Sequence, residues 1–221
     1  MSIQIADYLG IDVSMNNGSI DWNKVVQDPQ KIRFAYIKAT EGTTYVDPTF
    51  DENRKGATAA GLKNGAYHFY SLATPPINQA YNFINKVHAL GVSDLPPMLD
   101  IEKQPMPADL AQYEADLHTW LDTVEKALGQ KPIIYTAYYY WHDLFKNPVS
   151  FASYPLGVAQ YGPGGAPRPA TSLPLVFGGW TEWALWQYSS IGNVEGIVDQ
   201  RGRPLAVDID RYNVNSGVLK L

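Results

Sequence analysis

A chain of 221 residues with a 45% apolar composition has the length and hydrophobic content for a sizeable core, which excludes a disordered chain. Lys and Arg number 17 against 22 Asp and Glu, and no basic cluster interrupts the sequence, so nucleic acid is not an expected partner. The absence of cysteine removes disulfides, thiolate nucleophiles and cysteine-ligated zinc while leaving the compartment open.

The opening "MSIQIADYLGIDVS" has neither a basic n-region nor the apolar run of a signal peptide, and no later segment approaches membrane-spanning length. A soluble chain without leader or membrane contact is therefore expected. Within that opening, "YLGIDVS" (8–14) reads as the first strand. "FAYIKAT" (34–40), "GAYHFYS" (65–71), "PPMLDIE" (96–102), "PIIYTA" (132–137) and "PLGVAQY" (155–161) are further short runs rich in β-branched or aromatic residues. Helical segments are predicted between them: "DWNKVVQ" from Asp21, "DPTFDENRKGATAAGLK" with Pro48 near a helix start, "NQAYNFINKVHAL", and a long helix from Ala108 closed by Gly129. In the last, Leu110, Tyr113, Leu117, Trp120, Leu121, Val124 and Leu128 recur at steps of one to four residues and mark one apolar stripe. After Tyr161 the pattern changes. "GPGGAPRPATSLP" is loop, and "WTEWALWQYSS", "VEGIVDQRG" and "LAVDIDRY" read as strands joined by turns. With no repeat or linker visible, residues 1–221 are expected to form one α/β domain, a barrel whose last quarter is mostly β.

Three strand ends carry acids. Asp12 lies near the end of the first strand, Asp100 and Glu102 at the end of "PPMLDIE", and Asp208 and Asp210 in "LAVDIDRY". Residues i and i+2 of a strand share a face, so Asp100 and Glu102 point the same way and repel unless one holds a proton or a cation lies between them. The C-terminal ends of parallel strands are where α/β barrels build active sites. Lys38, Glu41, Tyr67, His68, Tyr135 and Gln187 lie at or near such ends, and each has a plain alternative. His68 fits a hydrogen-bonded core histidine, Lys38 and Glu41 a mutually neutralising pair, and Trp183 and Trp186 the core. Clustered carboxylates also hold Mg²⁺ or Ca²⁺, but with no EF-hand loop, no His-x-x-x-His pair and only 4 His the acids point to acid–base chemistry without a metal or other cofactor. A serine hydrolase lacks its G-x-S-x-G elbow here. The 15 Tyr and 6 Trp supply flat faces suited to sugar rings.

The fragments "GIDVSMNNGSIDW", "FAYIKATEG", "GAYHF", "MLDIE", "PIIYT", "ALWQYSS" and "VDIDRY" occur in order from Gly10 to about Tyr212. In that order and spacing the chain resembles the glycoside hydrolase family 25 lysozymes, the N-acetylmuramidases. The resemblance implies an irregular TIM-like barrel of about five βα units followed by mostly β-strands. It implies hydrolysis of the β-1,4 bond between N-acetylmuramic acid and N-acetylglucosamine in bacterial peptidoglycan by a monomer. Glu102 then takes the general-acid position, Asp100 the first acid of the D-x-E motif, and Asp12 and Asp208 the two further acidic positions. If these acids come from strands of one barrel they line a single groove, with Tyr67, Tyr135 and Trp186 expected as its walls. The attacking group is either a carboxylate or the substrate's own 2-acetamido oxygen. Gly157 stands where many relatives carry Trp and removes an aromatic wall. A phage endolysin held in the host cytoplasm before lysis and a secreted enzyme lacking its leader both fit. Two rivals are a peptidoglycan-binding module without turnover, which has no need of a poised acid, and a related hydrolase acting on chitin.

Overall fold

The computed structural model describes residues 7–72, 74–91, 93–102, 105–169 and 171–221; residues 1–6 at the head of the opening segment, and Lys103 and Gln104 just after the Asp100/Glu102 pair, lie outside the described residues. Nine strands are present among them: β1 (Asp7–Val13), β2 (Ile32–Glu41), β3 (Tyr45–Val46), β4 (Lys63–Phe69), β5 (Met98–Asp100), β6 (Ile133–Ala137), β7 (Leu156–Ala159), β8 (Leu185–Gly192) and β9 (Val207–Asn213). Strands β1, β2 and β4 to β8 run parallel to their neighbours in that order, and β9 closes the ring by pairing antiparallel with both β8 and β1. The result is an eight-stranded barrel, with β3 hydrogen-bonded to β2 as an outlying hairpin strand.

Helices α1 (Trp22–Val25), α2 (Phe50–Ala59), α3 (Pro76–His88) and α4 (Leu110–Leu128) follow β1, β3, β4 and β5, and a π-helical turn at Tyr140–Leu144 follows β6. Five units of the expected barrel thus carry a helical element, while β7, β8 and β9 are linked by Pro- and Gly-rich loops. Helix α4 shows why these residues form this element. The Asp109 carboxylate caps its first turn by accepting from Gln112 N at 2.9 Å, Gly129 takes the left-handed φ of 66° that ends it, and the predicted stripe from Tyr113 to Leu128 is buried. Only Leu110 of that stripe stays partly exposed.

Strand alternation divides the apolar residues into two cores. One face of each strand packs outward beneath the helices, through residues such as Ile11, Ile37, Leu99, Ile134, Val158 and Ile209. The other fills the barrel with Phe34, Tyr36, Met98, Ile133, Leu185 and Tyr212. Two inward glycines make room for the largest of these rings. A Cβ on Gly10 would lie 2.3 Å from the Phe34 ring and one on Gly65 2.5 Å from Tyr36, so either side chain would collide with the barrel floor.

The segment 194–202, expected to be a strand, forms only isolated bridges, Ile20 with Ile197 and Val198 with Pro204. Val194 and Ile197 are buried as their apolar character requires, but Gly196 and Gly202 adopt φ of 88° and 75°, which breaks the extended run into turns.

Candidate active site

The acids reach one place because of strand parity and direction. On β1, Ile11 and Val13 are buried in the outer core, so Asp12 between them faces into the barrel. On β5 and at the residue after it, Leu99 and Ile101 go outward and Met98 and Asp100 inward. Extended geometry continues past the strand. Ile101 N donates to Tyr135 O at 2.8 Å, Thr136 Oγ1 donates to Ile101 O at 2.7 Å, and Tyr70 N donates to Asp100 O at 2.9 Å. With the backbone pinned on both sides, Glu102 keeps the face of Asp100. Asp208 arrives from the opposite direction. Because β9 is antiparallel, its first residues lie beside the last of β1, and Asp208 pairs directly across from Asp12.

These side chains line a cleft of about 290 Å³ at the C-terminal mouth, together with Ser14, Asn16, Lys38, Tyr67, Phe69, Met98, Tyr135, Tyr161, Gln187 and Ser190. Burial is the first cause that pushes every acid here upward. Asp12 is raised by burial, then by Asp208 and Asp210, against a hydrogen bond from Gln187 Nε2 to its Oδ2 at 2.9 Å. Asp100 is raised by burial and then by Glu102, and Lys38 opposes both. For Glu102 itself burial, not the neighbouring carboxylates, is the upward cause, again with Lys38 opposing. Repulsion within the cluster falls instead on Asp100 and on Asp208, which is pushed up to about 6. Groups coupled in this way titrate as a pair and keep a proton at a pH where isolated carboxyls would be bare. Lys38 is held at the cleft edge by Glu41 Oε2 at 2.9 Å and lies 4.7 Å from the centre of the Phe69 ring.

Folded-state values raised above unfolded ones mean that the native protein binds more protons than the unfolded chain. The stabilisation is complete below the unfolded carboxylate range near 4 and is lost as pH rises through the folded values, about 6 for Asp208 and about 8 for Asp210. Thermal unfolding across pH is therefore expected to give a Tm that declines from pH 5 to pH 8.5. A Tm that climbs steadily over that range would contradict the assigned burial.

Of the predicted contact residues, Lys38, Tyr67, Tyr135 and Gln187 are in the cleft. Three are not. Trp186 is wholly buried on the outward face of β8, where its Nε1 donates to Gln160 O at 2.7 Å and its ring meets Trp183 and Tyr188. Parity explains it, since Gln187 faces in and its neighbour must face out. His68 is likewise outward and fully buried, bonded to Thr40 Oγ1 at 2.7 Å and Gln79 Oε1 at 3.2 Å and stacked on Trp120; burial lowers it to about 4, so it is a neutral core histidine. Glu41 does not line the cleft; it holds Lys38 at the cleft edge, and its charge adds to the rise of Asp100. Gly157, opposite Tyr135 on β7, does not line the cleft, and a Cβ there would make ordinary contacts at 3.5 Å.

Several lining residues went unassigned although a two-residue count would have reached them. Phe69 follows Tyr67 on the same face, Met98 precedes Asp100, and Tyr161 continues the inward face of β7. Ser190 escapes such a count, because a register shift between Gln187 and Ser189 turns Ser189 into the wall, where it bonds Gly165 O, and presents Ser190 to the cleft.

Comparison with known proteins bears on the family and the fold. The model of Glycosyl hydrolases family 25 matches residues 11–197. The Escherichia coli K12 protein YegX is 35% identical over 191 residues, 85% of this chain and 65% of that one, and Lysozyme M1 of Streptomyces globisporus is 33% identical over 96% of this chain and 69% of its own. This chain thus spans just under two thirds of the length of the YegX relatives. The crystal structure of the bacterial lysozyme from Streptomyces coelicolor superposes with a TM-score of 0.75 at 31% identity, covering 93% of this chain and 92% of that one. With the family model spanning the barrel from β1 to the loop after β8, and the acidic cleft assembled at its mouth, the chain belongs to glycosyl hydrolase family 25.

Proposed function

We propose that this chain is a lysozyme of the N-acetylmuramidase type, cutting the β-1,4 bond between N-acetylmuramic acid and N-acetylglucosamine in bacterial peptidoglycan. The observation that carries it is the convergence of Asp12, Asp100, Glu102 and Asp208 in one open cleft whose burial keeps protons on carboxyls. Glycosidic cleavage needs a protonated acid for the leaving oxygen and negative charge near the oxocarbenium-like centre. Glu102, at the end of the pinned segment, is assigned the first task. It protonates the leaving oxygen as the bond to the anomeric carbon breaks, and in the second step takes a proton from the incoming water.

Asp100 is assigned to the reacting sugar. Its Oδ1 is buried and accepts no hydrogen bond from the described residues, which leaves it available to a donor carried by the substrate. The N–H of a 2-acetamido group is such a donor. This favours acetamido participation, with Asp100 orienting the group whose carbonyl oxygen attacks, over direct attack by a carboxylate. Tyr67 and Tyr135, kept as neutral phenols by burial and by the acids around them, supply hydroxyls and ring faces. One chain completes the cleft, so a monomer suffices, acting at the cell wall. Among the described residues no helix is long and apolar enough to cross a membrane.

Reducing ends released from purified cell walls and from chitin oligomers test the reading. Release from walls with little from chitin is expected; chitin as the better substrate would support the chitinase rival, and none from either the binding module. Exhaustive EDTA treatment is expected to leave the rate unchanged, since proton transfer and charge stabilisation are assigned to carboxyls alone. Loss of activity restored by Mg²⁺ or Ca²⁺ would overturn that assignment.

A further inference from the structure

Asp210 is a buried acid that the proposed chemistry leaves unused. It sits on the inward face of β9, two residues beyond Asp208 and so one layer deeper in the barrel, opposite Gly10 of β1 and Gln187 of β8. It is 4% exposed and does not line the cleft. The register sets its carboxyl diagonally below that of Asp12 on the same face of the paired strands, and Gln187, directly across β8 from Asp210, donates to Asp12 Oδ2, so the two buried carboxyls are neighbours within bonding reach. Ionised carboxylates only accept, so two carboxyls that bond to each other must hold a proton between them.

The surroundings retain that proton. Asp210 faces Asp12 from β1, Tyr36 from β2, Tyr135 from β6, Gln187 from β8, and Asp208 from its own strand, a set without a cation. Arg211, the next residue along, turns outward, with its guanidinium 4.2 Å from the centre of the Tyr188 ring. Among the described residues no cation faces this enclosed position, so two full negative charges would stand uncompensated, whereas a singly protonated pair carries one.

We propose that Asp210 is a positioning residue: Asp12 and Asp210 form a proton-sharing carboxyl pair beneath the cleft floor that limits the charge there to one and aims Asp12 at the substrate. That Asp12 meets a sugar rests on the glycosidase reading, whereas the shared proton does not. Burial and Asp208 push Asp210 up to about 8, consistent with a proton kept through neutrality. An asparagine in its place would donate from Nδ2 to Asp12, keeping one negative charge but removing the shared proton.

The test follows the aspartate carboxyl carbons by NMR in ¹³C-labelled wild type and Asp210→Asn, with turnover measured in parallel. Wild type is expected to show a coupled pair that completes its titration above pH 7. In Asp210→Asn the Asp12 carbon should titrate at least about one pH unit lower, the scale of a charge-pair effect. Asp210→Asn should keep turnover within about threefold and Asp210→Ala should lose at least about tenfold in kcat with KM little changed, the pattern of a lost transition-state contribution. An Asp12 titration unmoved by Asp210→Asn would overturn the pair, and should Asp210→Ala not fold, that titration alone decides. Because the titration is read without substrate, a normal pair in a protein that cleaves nothing would refute the glycosidase reading instead.

Discussion

Glu102→Gln is expected to lower turnover on bacterial cell walls by at least ~10²-fold, the lower end of what a general acid contributes, or about 2.7 kcal/mol of barrier. The carboxyl is raised by burial and lines the cleft just past β5. Glutamine fills nearly the same volume and cannot donate an acidic proton. It also carries no charge to bury, so the variant should fold and melt no lower than wild type at neutral pH. Lysis at close to the wild-type rate would remove Glu102 from the acid role, whereas a collapsed Tm would make the loss one of folding.

The second large effect is expected at Asp100. Asp100→Asn should cost turnover on the order of 10²-fold, comparable to the loss of one preorganised electrostatic partner, with KM changed far less. The reason is the timing of the interaction. A carboxylate facing the acetamido group gains most as positive charge grows at the sugar, so its loss is felt in the transition state more than on binding. The Asp100 Oδ1 is buried without a partner among the described residues and Lys38 is the moderating cation, so asparagine would change charge rather than shape. Normal kcat with a raised KM would reduce Asp100 to a binding residue.

How far the sequence could be read depended on the kind of information each feature carries. The βα alternation, the α4 stripe and the change after Tyr161 are local patterns, and they were visible because hydrophobic period and capping are set by neighbouring residues. The acids at strand ends were visible for the same reason. Barrel closure was not local. That Asp208 meets Asp12 depends on β9 running antiparallel between β8 and β1; the motif resemblance puts both acids in the cleft, and no periodicity shows that strand direction. Trp186 and His68 have the chemistry of site residues, but the alternation of their strands turns both outward, and segment 194–202 has the apolar residues of a strand but glycines that break it into turns. Only its depth in the barrel sets Asp210 apart from Asp208.

The identity of the sugar left at the new reducing end is the most direct measurement. Cell walls digested by the wild-type protein would be reduced with borohydride, hydrolysed to monosaccharides and analysed for the reduced amino sugar. Muramicitol, the reduced form of muramic acid, is expected to rise with digestion while glucosaminitol stays at background. Glucosaminitol rising in its place would show the other glycosidic bond to be the one cut, and no rise in either would show that this acidic cleft cleaves no glycan strand of the wall.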